Sequence, residues 1–444
     1  MPRGIADDER DVAIDPQSSP HGSAANGMQT IRRVTIAVLG DLGRSPRMQY
    51  HALALAAREV QVDLVGYRGS LPQAIEAESR ITCHFLAADS APRPQRKVIR
   101  AVLGAVRAVR QAWALFRVLL FRVGKPDVVL VQSPPAVPTL AVALLAARLR
   151  SARLIIDWHN TTSSLVGLVL GVDHLATRWI DRYERMAGRL ADAHLCVSHA
   201  MREQMAARWG ITATVMPDRP AHRFTPASNG TRGAIVRRLW SELGLPPSSH
   251  MALVVAPLGW TIDDDVQMLI EAVSMCESLA AERDAAQTPC PDLLILLTGR
   301  GPERDAYLPQ IRALVARRVH VRAEWLSPQA YAEVLGAADL GLSLHRSSSG
   351  VDLPMKIADM FGAHLPVCAL DYGPVLNEVL HDGDNGVLFR NSAELATRIV
   401  DLCAATADAP PPRLERLRDG AARAAVVRWQ DEWGGAAWPV IGAS

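Results

Sequence analysis

The chain has 444 residues, of which 49% are hydrophobic and 21% charged, and its formal net charge is +2. This length predicts two or three domains, and the composition is typical of a globular protein that buries large sheets. So small a net charge gives no reason to expect a nucleic-acid partner. The six cysteines form neither a CxxC pair nor a zinc-type cluster, which favours a reducing compartment over a disulfide scaffold and argues against a structural metal.

Residues 1–30 are polar and contain several Pro, Ser and Gly residues, which predicts a disordered tail without a signal peptide. No apolar run reaches the roughly 18 residues that a membrane-spanning helix needs. The segment 98–123 comes nearest, but arginines interrupt it and make it amphipathic. Such a helix either lies in a membrane interface or packs its apolar side on a sheet, and both interpretations stay open.

An alternation of apolar strands and helices begins at residue 31 and predicts a Rossmann-like domain over 31–225. Strands are predicted over 31–40, 60–67, 126–132, 153–156, 193–198 and 213–216, and helices over 48–59, 139–149, 175–190 and 199–209. Gly40 and Gly43 follow the first strand, but they do not form the GxGxxG pattern of a dinucleotide site. Ligands of such sheets bind at the carboxyl ends of strands, where the segment DWHN (157–160) also lies.

A polar segment with prolines, 218–232, is the predicted linker to a second Rossmann-like domain over 235–410. Its strands are predicted over 251–256, 293–298, 319–321, 338–342, 365–370 and 387–389, and its helices over 263–281, 328–337, 353–362 and 393–404. A Pro-rich break at 409–412 precedes a C-terminal helix or tail over 411–444.

The segment 343–367 carries the strongest local indication of a ligand site. A small polar loop, 347–350, follows a strand and precedes a helix that has Lys356 in its first turn. Backbone N–H groups at a helix N-terminus bind phosphate, and a lysine there is explained by an anionic ligand better than by helix stability. An ordinary strand–loop–helix connection is the competing interpretation.

Two successive α/β domains whose loops face each other across a cleft favour a glycosyltransferase that uses a sugar nucleotide. The same pattern allows a periplasmic-type binding protein or a two-domain epimerase. Pattern alone leaves these alternatives open.

Four motifs, in order along the chain, resemble the chitobiosyldiphosphodolichol β-mannosyltransferase family, glycosyltransferase family 33. They are GDLGRSPRMQYH (40–51), DWHN (157–160), CVSHAMRE (196–203) and SSSGVDLPMK (347–356). The resemblance runs from about residue 34 to the end of the chain. It implies an α/β GT-B fold, two Rossmann-like domains facing each other across a cleft.

The resemblance further implies transfer of mannose from GDP-mannose to dolichol-linked diphosphate chitobiose (GlcNAc₂-diphosphate-dolichol), with inversion to a β-1,4 linkage. It implies a membrane surface, at the cytosolic face of the endoplasmic reticulum, and other lipid-linked oligosaccharide mannosyltransferases as further partners. Family members usually begin with a membrane-spanning helix, whereas this chain begins with a polar tail, so a bacterial cytoplasmic or inner-membrane relative is the alternative. A transferase of bacterial polysaccharide assembly and a non-catalytic scaffold are the alternative functions.

Departure of GDP places negative charge on its β-phosphate, which cations and N–H groups must stabilise where no metal is obligatory. The resemblance implies no metal site, although a divalent cation could stimulate the reaction. Lys356 and Arg300 are the leading cations, and Asp359 holds the position of a ribose-binding acidic residue. The expected donor-binding set is Gly40, Gly43, Arg300, Gly301, His345, Ser347, Ser348, Ser349, Gly350, Lys356, Asp359 and Glu378.

The acceptor hydroxyl needs a general base, which we expect in the first domain opposite the donor. Asp41 and His159, both at carboxyl ends of predicted strands, are the two candidates. Asp157 could orient His159 if the strand continues past it. Acceptor-binding residues are expected at Arg44, Arg47, Trp158 and Asn160, and the lipid end on the 98–123 helix.

Overall fold

The structure is a computed structural model that describes residues 31–87, 97–244, 251–288, 290–314, 317–404 and 412–443. The predicted tail over 1–30 and the larger part of the predicted break at 409–412 lie outside these residues. The described residues form two parallel sheets with helices on both faces, as the alternation of elements predicts.

The first domain contains seven strands that are rich in Val, Ile and Leu and mostly buried, as expected for a sheet covered on both faces. They are β1 (Arg33–Asp41), β2 (Gln61–Tyr67), β3 (Ile81–Leu86), β4 (Val128–Ser133), β5 (Arg153–Trp158), β6 (Ala193–Cys196) and β7 (Thr214–Val215). Their order in the sheet is β3-β2-β1-β4-β5-β6-β7. The order therefore reverses between β1 and β4.

Seven helices connect these strands, and local capping explains where several begin. They are α1 (Pro46–Ala56), α2 (Gln73–Glu76), α3 (Lys97–Phe121), α4 (Thr139–Arg150), α5 (Thr162–Leu170), α6 (Leu175–Arg189) and α7 (His199–Trp209). Proline stands at the first position of α1, where its missing N–H costs nothing. The hydroxyl groups of Thr161 and Ser198 accept from backbone N–H groups at the starts of α5 and α7.

The second domain repeats this arrangement with six strands in the order β10-β9-β8-β11-β12-β13. The strands are β8 (Met251–Pro257), β9 (Asp292–Thr298), β10 (Val319–Glu324), β11 (Leu340–Ser343), β12 (Val367–Leu370) and β13 (Gly386–Phe389). The helices are α8 (Asn229–Ser241), α9 (Val266–Ala285), α10 (Arg304–Arg312), α11 (Pro328–Ala337), α12 (Met355–Gly362) and α13 (Ser392–Cys403). Here the order reverses between β8 and β11.

Two further helices, α14 (Pro412–Ala424) and α15 (Trp429–Gly442), end the described chain. The indole Nε1 of Trp433 in α15 donates to His51 Nδ1 in α1 at 2.8 Å. Arg153 in β5 donates to the carbonyl oxygens of Val440 and Ile441. The last helix therefore packs back onto the first domain and ties the two domains together.

The structure differs from the predicted elements in three respects. The predicted linker runs to residue 232, but α8 begins at Asn229 because Ser228 caps it through Thr231 N. The strand β5 continues through Trp158. The elements α2, β3, α5, α8 and α10 have no counterpart among the predicted elements, since each is short or has little amphipathic pattern.

The amphipathic segment forms α3, which packs one side on the domain core and exposes aromatic side chains elsewhere on its surface. Leu115, Val118 and Leu119 are buried in the domain core, whereas Trp113 and Phe121 are 59% and 76% exposed. No helix among the described residues is both long enough and apolar enough to cross a membrane.

Candidate active site

Ligands of open parallel sheets bind where the strand order reverses, at the carboxyl ends of strands. In this structure the strand order reverses beside β1 in the first sheet and between β8 and β11 in the second. The loops that follow these strands lie in the cleft between the domains. Arg44, which follows β1, donates through Nη2 to the carbonyl oxygen of Gly259, which follows β8, at 3.4 Å. This hydrogen bond crosses from one domain to the other.

Lys356 is the second residue of α12, which begins without a side-chain cap. Its Nζ lies 3.1 Å from Asp264 Oδ1 and also close to Gly259. Within the described part of the chain, the other carboxylate oxygen of Asp264 is buried without a hydrogen-bond partner. Two cations, Arg44 and Lys356, thus converge on Gly259 beside a helix N-terminus, which suits a diphosphate.

His345 lies between two carboxylates directly after β11. Its Nε2 is 2.9 Å from Asp352 Oδ2, and its Nδ1 is 3.3 Å from Asp263 Oδ2. Burial acts to lower the pKa of His345, but the hydrogen bonds to Asp263 and Asp352 outweigh it and raise the pKa to about 9. The imidazole is therefore charged at neutral pH, and Asp263 and Asp352 neutralise it while it holds the loop 347–350 in place.

The serines of the 347–350 loop hold the loop rather than face a ligand. Ser347 and Ser349 both donate to Asp352 Oδ1. Gly350 N in turn donates to Ser347 Oγ at 2.8 Å, and Gly350 has a φ of +72° that favours glycine. Asp352 thus fixes the loop through the hydroxyl groups of Ser347 and Ser349, and the expected contribution of the loop to donor binding stays a prediction.

Ser348 contacts the first domain. Asn160 Nδ2 donates to Ser348 Oγ at 3.0 Å, and Ser164 Oγ lies 3.1 Å from the same oxygen. Nearby, Ser198 Oγ donates to the carbonyl oxygen of Val351. The expected acceptor-side residue Asn160 and the expected donor-side residue Ser348 thus meet directly, and His159, next to Asn160, lies at the same junction.

Asp157 is the centre of a buried polar network in the first domain. Arg47 donates to both of its oxygens, at 2.8 and 3.0 Å. His51 and His159 each place Nε2 3.1 Å from Asp157 Oδ2. Burial would raise the pKa of Asp157, but Arg47 and the two histidines hold it well below its usual range.

The hydrogen bonds around Asp157 assign the protons of both histidines. Trp433 donates to His51 Nδ1, so His51 must carry its proton on Nε2 and donate it to Asp157. Burial lowers the pKa of His51, which agrees with a neutral ring. His159 likewise directs Nε2–H to Asp157, and its Nδ1 then faces away from the carboxylate as an acceptor. The side chain of His159 is 24% exposed.

Asp41, the other candidate base, ends β1. Its Oδ1 accepts from Gly43 N at 2.8 Å, and its carboxylate lies against Gly69. This contact fixes the turn between β1 and α1 and leaves the other carboxylate oxygen, Oδ2, as a potential proton acceptor. Asp41 is partly exposed.

Two expected acceptor-binding residues, Arg47 and Trp158, are fully buried in this structure. Arg47 is 1% exposed and pairs with Asp218 at 2.7 Å in addition to Asp157. Trp158 is 0% exposed, packs its ring 5.4 Å from that of Trp209, and donates to His194. Neither side chain can reach an acceptor in the cleft.

Two expected donor-binding carboxylates are also engaged elsewhere. Asp359 is 8% exposed and hydrogen-bonded to Tyr331, and burial raises its pKa to about 7. A ribose hydroxyl cannot reach it in this conformation. Glu378 accepts from His199 N at 2.7 Å and from Ala200 N at 2.8 Å, so it caps α7 of the opposite domain. Glu378 therefore links the two domains at the start of α7.

Close contacts with neighbouring backbone explain two of the expected donor-side glycines, Gly43 and Gly301. A side chain at Gly43 would meet the backbone of Ser70, and one at Gly301 would meet the backbone of Gly259 and Trp260. At Gly40, only the side chain of Val38 lies within contact distance. Gly43 and Gly301 thus serve the approach of neighbouring loops to one another, whereas the contact at Gly40 is an ordinary one. Gly301 brings the exposed Arg300, stacked 4.2 Å over the ring of Trp325, beside the Gly259 loop.

Several residues of the site have no place in the sequence prediction. They are His51, Asp263, Asp264 and Asp352, which orient or neutralise the predicted cations and the predicted base. The run of three aspartates at 263–265, before α9, and the spacing of Arg47 and His51 on one helix face were usable signals. In the residues that the structure describes, no cluster of His, Cys, Asp and Glu is arranged to hold a metal.

Comparison with known proteins supports a glycosyltransferase site. Residues 43–218 match a family model described as a glycosyl transferase 4-like domain, and residues 250–405 match one described as glycosyl transferases group 1. In solved structures, the chain is similar to a glycosyltransferase from Rickettsia africae, with a TM-score of 0.60, 12% identity, and 92% and 97% of the two chains covered. HepE of Anabaena, solved with UDP and glucose, has a TM-score of 0.60, 15% identity and coverage of 91% and 98%. These likenesses show the GT-B fold.

Curated relatives are similar over almost their whole length. The UDP-glycosyltransferase TURAN of Arabidopsis thaliana is 36% identical, with 92% of this chain and 97% of the relative covered. The chitobiosyldiphosphodolichol beta-mannosyltransferase of Pongo abelii is 35% identical, with 93% of each chain covered. The human protein of the same name is 34% identical, with 92% of each covered.

Proposed function

The chain belongs to the chitobiosyldiphosphodolichol beta-mannosyltransferase family, and from this premise we propose that it moves mannose from GDP-mannose to GlcNAc₂-diphosphate-dolichol. The product is the β-1,4-linked first mannose of a lipid-linked oligosaccharide. The observation that carries the proposal is the junction in the cleft. There Arg44 of the first domain reaches Gly259 of the second domain, and Asn160, the neighbour of His159 in sequence, contacts Ser348.

The donor diphosphate binds at Gly259. Arg44 and Lys356 converge on this residue, the N-terminus of α12 faces it, and Arg300 projects from the adjoining loop. As the bond to the anomeric carbon breaks, charge accumulates on the leaving β-phosphate, and these groups are already placed to stabilise it. Asp264 holds Lys356 in position until the phosphate replaces it as the partner.

His159 is the general base in this proposal. Asp157 holds the ring through Nε2–H, which leaves Nδ1 to take the proton of the acceptor hydroxyl as that oxygen attacks the anomeric carbon. The acceptor attacks from the face opposite the departing GDP, so an α-linked donor gives a β-linked product. Asp157 acts through His159 and is a positioning residue.

The reaction as proposed has no obligatory metal. Arg44, Lys356 and Arg300 supply positive charge at the leaving phosphate, which is the contribution a divalent cation makes in other phosphate sites. A divalent cation could still stimulate turnover by shielding the donor in solution.

The enzyme works at a membrane surface in this proposal, with its active site toward the cytosolic side of the endoplasmic reticulum. The exposed Trp113 and Phe121 of α3 support this, since aromatic side chains favour the interface. Flotation with liposomes tests it. Replacing both residues with Asp should reduce the bound fraction, and unchanged binding would contradict the assignment of this face.

A transfer assay tests the proposed function and its main competitor. The Arabidopsis relative is a UDP-glycosyltransferase by name, which makes a uridine nucleotide sugar the second candidate donor. Purified protein is incubated with phytanyl diphosphate chitobiose and either GDP-mannose, UDP-glucose or UDP-N-acetylglucosamine. We expect transfer from GDP-mannose alone; transfer only from a uridine donor would contradict the donor assignment.

Lys356→Ala provides the matched test of the site. Loss of one preorganised cation at a leaving phosphate is expected to lower kcat by about 10²–10³-fold. Lys125→Ala, at an exposed position outside the cleft, is the control and should keep full activity. Equal activity of the two variants would refute the role of Lys356.

A further inference from the structure

A cavity of about 480 Å³ opens in the first domain between α5, α6 and the C-terminal half of α7. It is distinct from the Gly259 junction, yet Ser348 and Ser349 of the donor-side loop line one end of it. Ser164 lines the same end and contacts Ser348 directly. The cavity therefore leads from the surface of the first domain to the point where the two domains meet.

One wall of the cavity is strongly basic. Arg178, Arg182 and Arg185 line it from α6, at a spacing that puts them on one helix face, and Arg208 of α7 lies opposite. Asp181 is the single acidic residue of the lining, and it pairs with Arg208 at 2.8 Å. Four arginines against one aspartate leave three uncompensated positive charges.

The arginines of α6 have no protein partner that explains them. Among the described residues, the structure gives the guanidinium groups of Arg178, Arg182 and Arg185 no carboxylate and no hydrogen-bond acceptor. Like charges at this helical spacing repel one another and destabilise a helix. An anion in the cavity would remove that repulsion and accept their N–H groups in pairs.

The outer rim of the cavity is apolar. Leu168 and Val172 belong to its lining and are 47% and 74% exposed. The adjoining turn between α5 and α6 adds Val169, Leu170 and Leu175, which are 68%, 48% and 80% exposed. Exposed aliphatic side chains in such density mark a surface that contacts another apolar body.

Hydrogen bonds join α6, which carries the basic wall, to α5, which carries part of the apolar rim. Glu184, fully buried, accepts from Thr162 N at 2.6 Å and from Ser163 N at 3.1 Å, and so joins α6 to the start of α5. Burial raises the pKa of Glu184, and the N–H groups of Thr162 and Ser163 act against that rise. The basic wall and the apolar rim are therefore held in one rigid unit.

We propose that this cavity is the acceptor site for a lipid-linked diphosphate. The diphosphate lies on Arg178, Arg182 and Arg185, the hydrocarbon chain leaves over the α5–α6 turn, and the sugar end points to the Asn160–Ser348 junction. The proposal rests on the proposed function for the identity of the sugar, but the binding of an isoprenoid diphosphate does not depend on the donor. It places the acceptor on α6 rather than on Arg47 and Trp158.

Equilibrium binding of farnesyl diphosphate, an isoprenoid diphosphate without sugar, tests the site apart from catalysis. Titration calorimetry is run on the full chain and on Arg178→Gln, Arg182→Gln and Arg185→Gln. Each variant should raise Kd about tenfold, the effect of losing one hydrogen bond between charged groups. The control is Arg237→Gln, an exposed arginine on α8 of the other domain, which should bind as the wild type does.

A second variant separates the lipid from the phosphate. Val172→Asp, on the apolar rim, should weaken binding of farnesyl diphosphate and leave binding of inorganic diphosphate unchanged. In detergent-solubilised transfer assays, the arginine variants should raise KM for phytanyl diphosphate chitobiose about tenfold and leave KM for the nucleotide sugar unchanged. Thermal unfolding confirms that each variant is folded.

Three results would overturn the inference. The first is wild-type protein that does not bind farnesyl diphosphate, and the second is arginine variants that bind it as the Arg237→Gln control does. The third is loss of binding to phosphatidylserine vesicles with an unchanged Kd for farnesyl diphosphate, which would make the arginines a general membrane contact. Arginine-dependent binding of farnesyl diphosphate without transfer from GDP-mannose would refute the proposed donor and support this site.

Discussion

Replacing His159 with glutamine removes the proposed general base and tests how the Asp157 network serves the reaction. General-base catalysis contributes about 10²–10⁴-fold in rate, which is about 3–5 kcal/mol in the activation free energy. His159 makes a single hydrogen bond to Asp157 and is 24% exposed, so its loss should cost only about 1–2 kcal/mol of stability. We therefore expect a folded protein whose kcat is at least a hundredfold lower.

The assay is steady-state transfer from GDP-mannose at saturating acceptor, with kcat and KM measured separately. Because the base acts in the transition state, KM for the donor should change little while kcat falls. Retention of kcat within tenfold of the wild type would refute the role of His159.

Asp41→Asn is the matched comparison. An asparagine oxygen can still accept from Gly43 N, so the turn after β1 is preserved while the carboxylate is lost. We expect this variant to keep kcat within about tenfold if His159 is the base. The opposite outcome, a larger loss in Asp41→Asn than in His159→Gln, would assign the base to Asp41.

Three further predictions follow from the charges of the site. The pKa of His345 is raised from 6.5 to about 9, so its charged form stabilises the fold by about 3 kcal/mol below pH 6.5, and this contribution is lost as pH rises through 9. The free energies of unfolding of the wild type and His345→Gln, measured by chemical denaturation at pH 6.5 and 9.5, should therefore differ less at the higher pH. A difference that is the same at both pH values would refute the stabilising contact of His345 with Asp263 and Asp352. Asp218→Asn leaves the buried Arg47 with one carboxylate and should lower the free energy of unfolding by about 2 kcal/mol. Asp173→Asn, at an exposed position, is the control and should not lower it. Equal melting temperatures of the two variants would contradict the pairing of Arg47 with Asp218. Chelation with EDTA should leave at least half of the transfer activity, and complete loss that Mg²⁺ restores would show an obligatory metal.

The local parts of the site are those that the sequence predicts. Lys356 follows a polar loop and begins a helix, and all of that information lies within a dozen residues. The alternation of strands and helices likewise predicts two parallel sheets, because each element carries its own pattern. The order of strands within each sheet then places the loops after β1, β8 and β11 in the cleft.

The parts that sequence alone does not predict depend on distant pairing. Arg47 is a plausible ligand of the acceptor diphosphate as long as its partner is unknown, but Asp157, 110 positions away, holds it in the core. The tautomer of His51 depends on Trp433, which is 382 positions away and returns to the first domain on α15. The contacts of Glu378 are likewise not predictable from its local sequence, since the N–H groups that bind it belong to α7 of the other domain.

The anomeric configuration of the product is the most direct test of the account. Phytanyl diphosphate chitobiose is incubated with GDP-mannose and the purified chain, and the isolated trisaccharide product is digested with β-mannosidase or α-mannosidase. The account predicts that β-mannosidase alone releases mannose. Absence of product, or a product that only α-mannosidase cleaves, would contradict it.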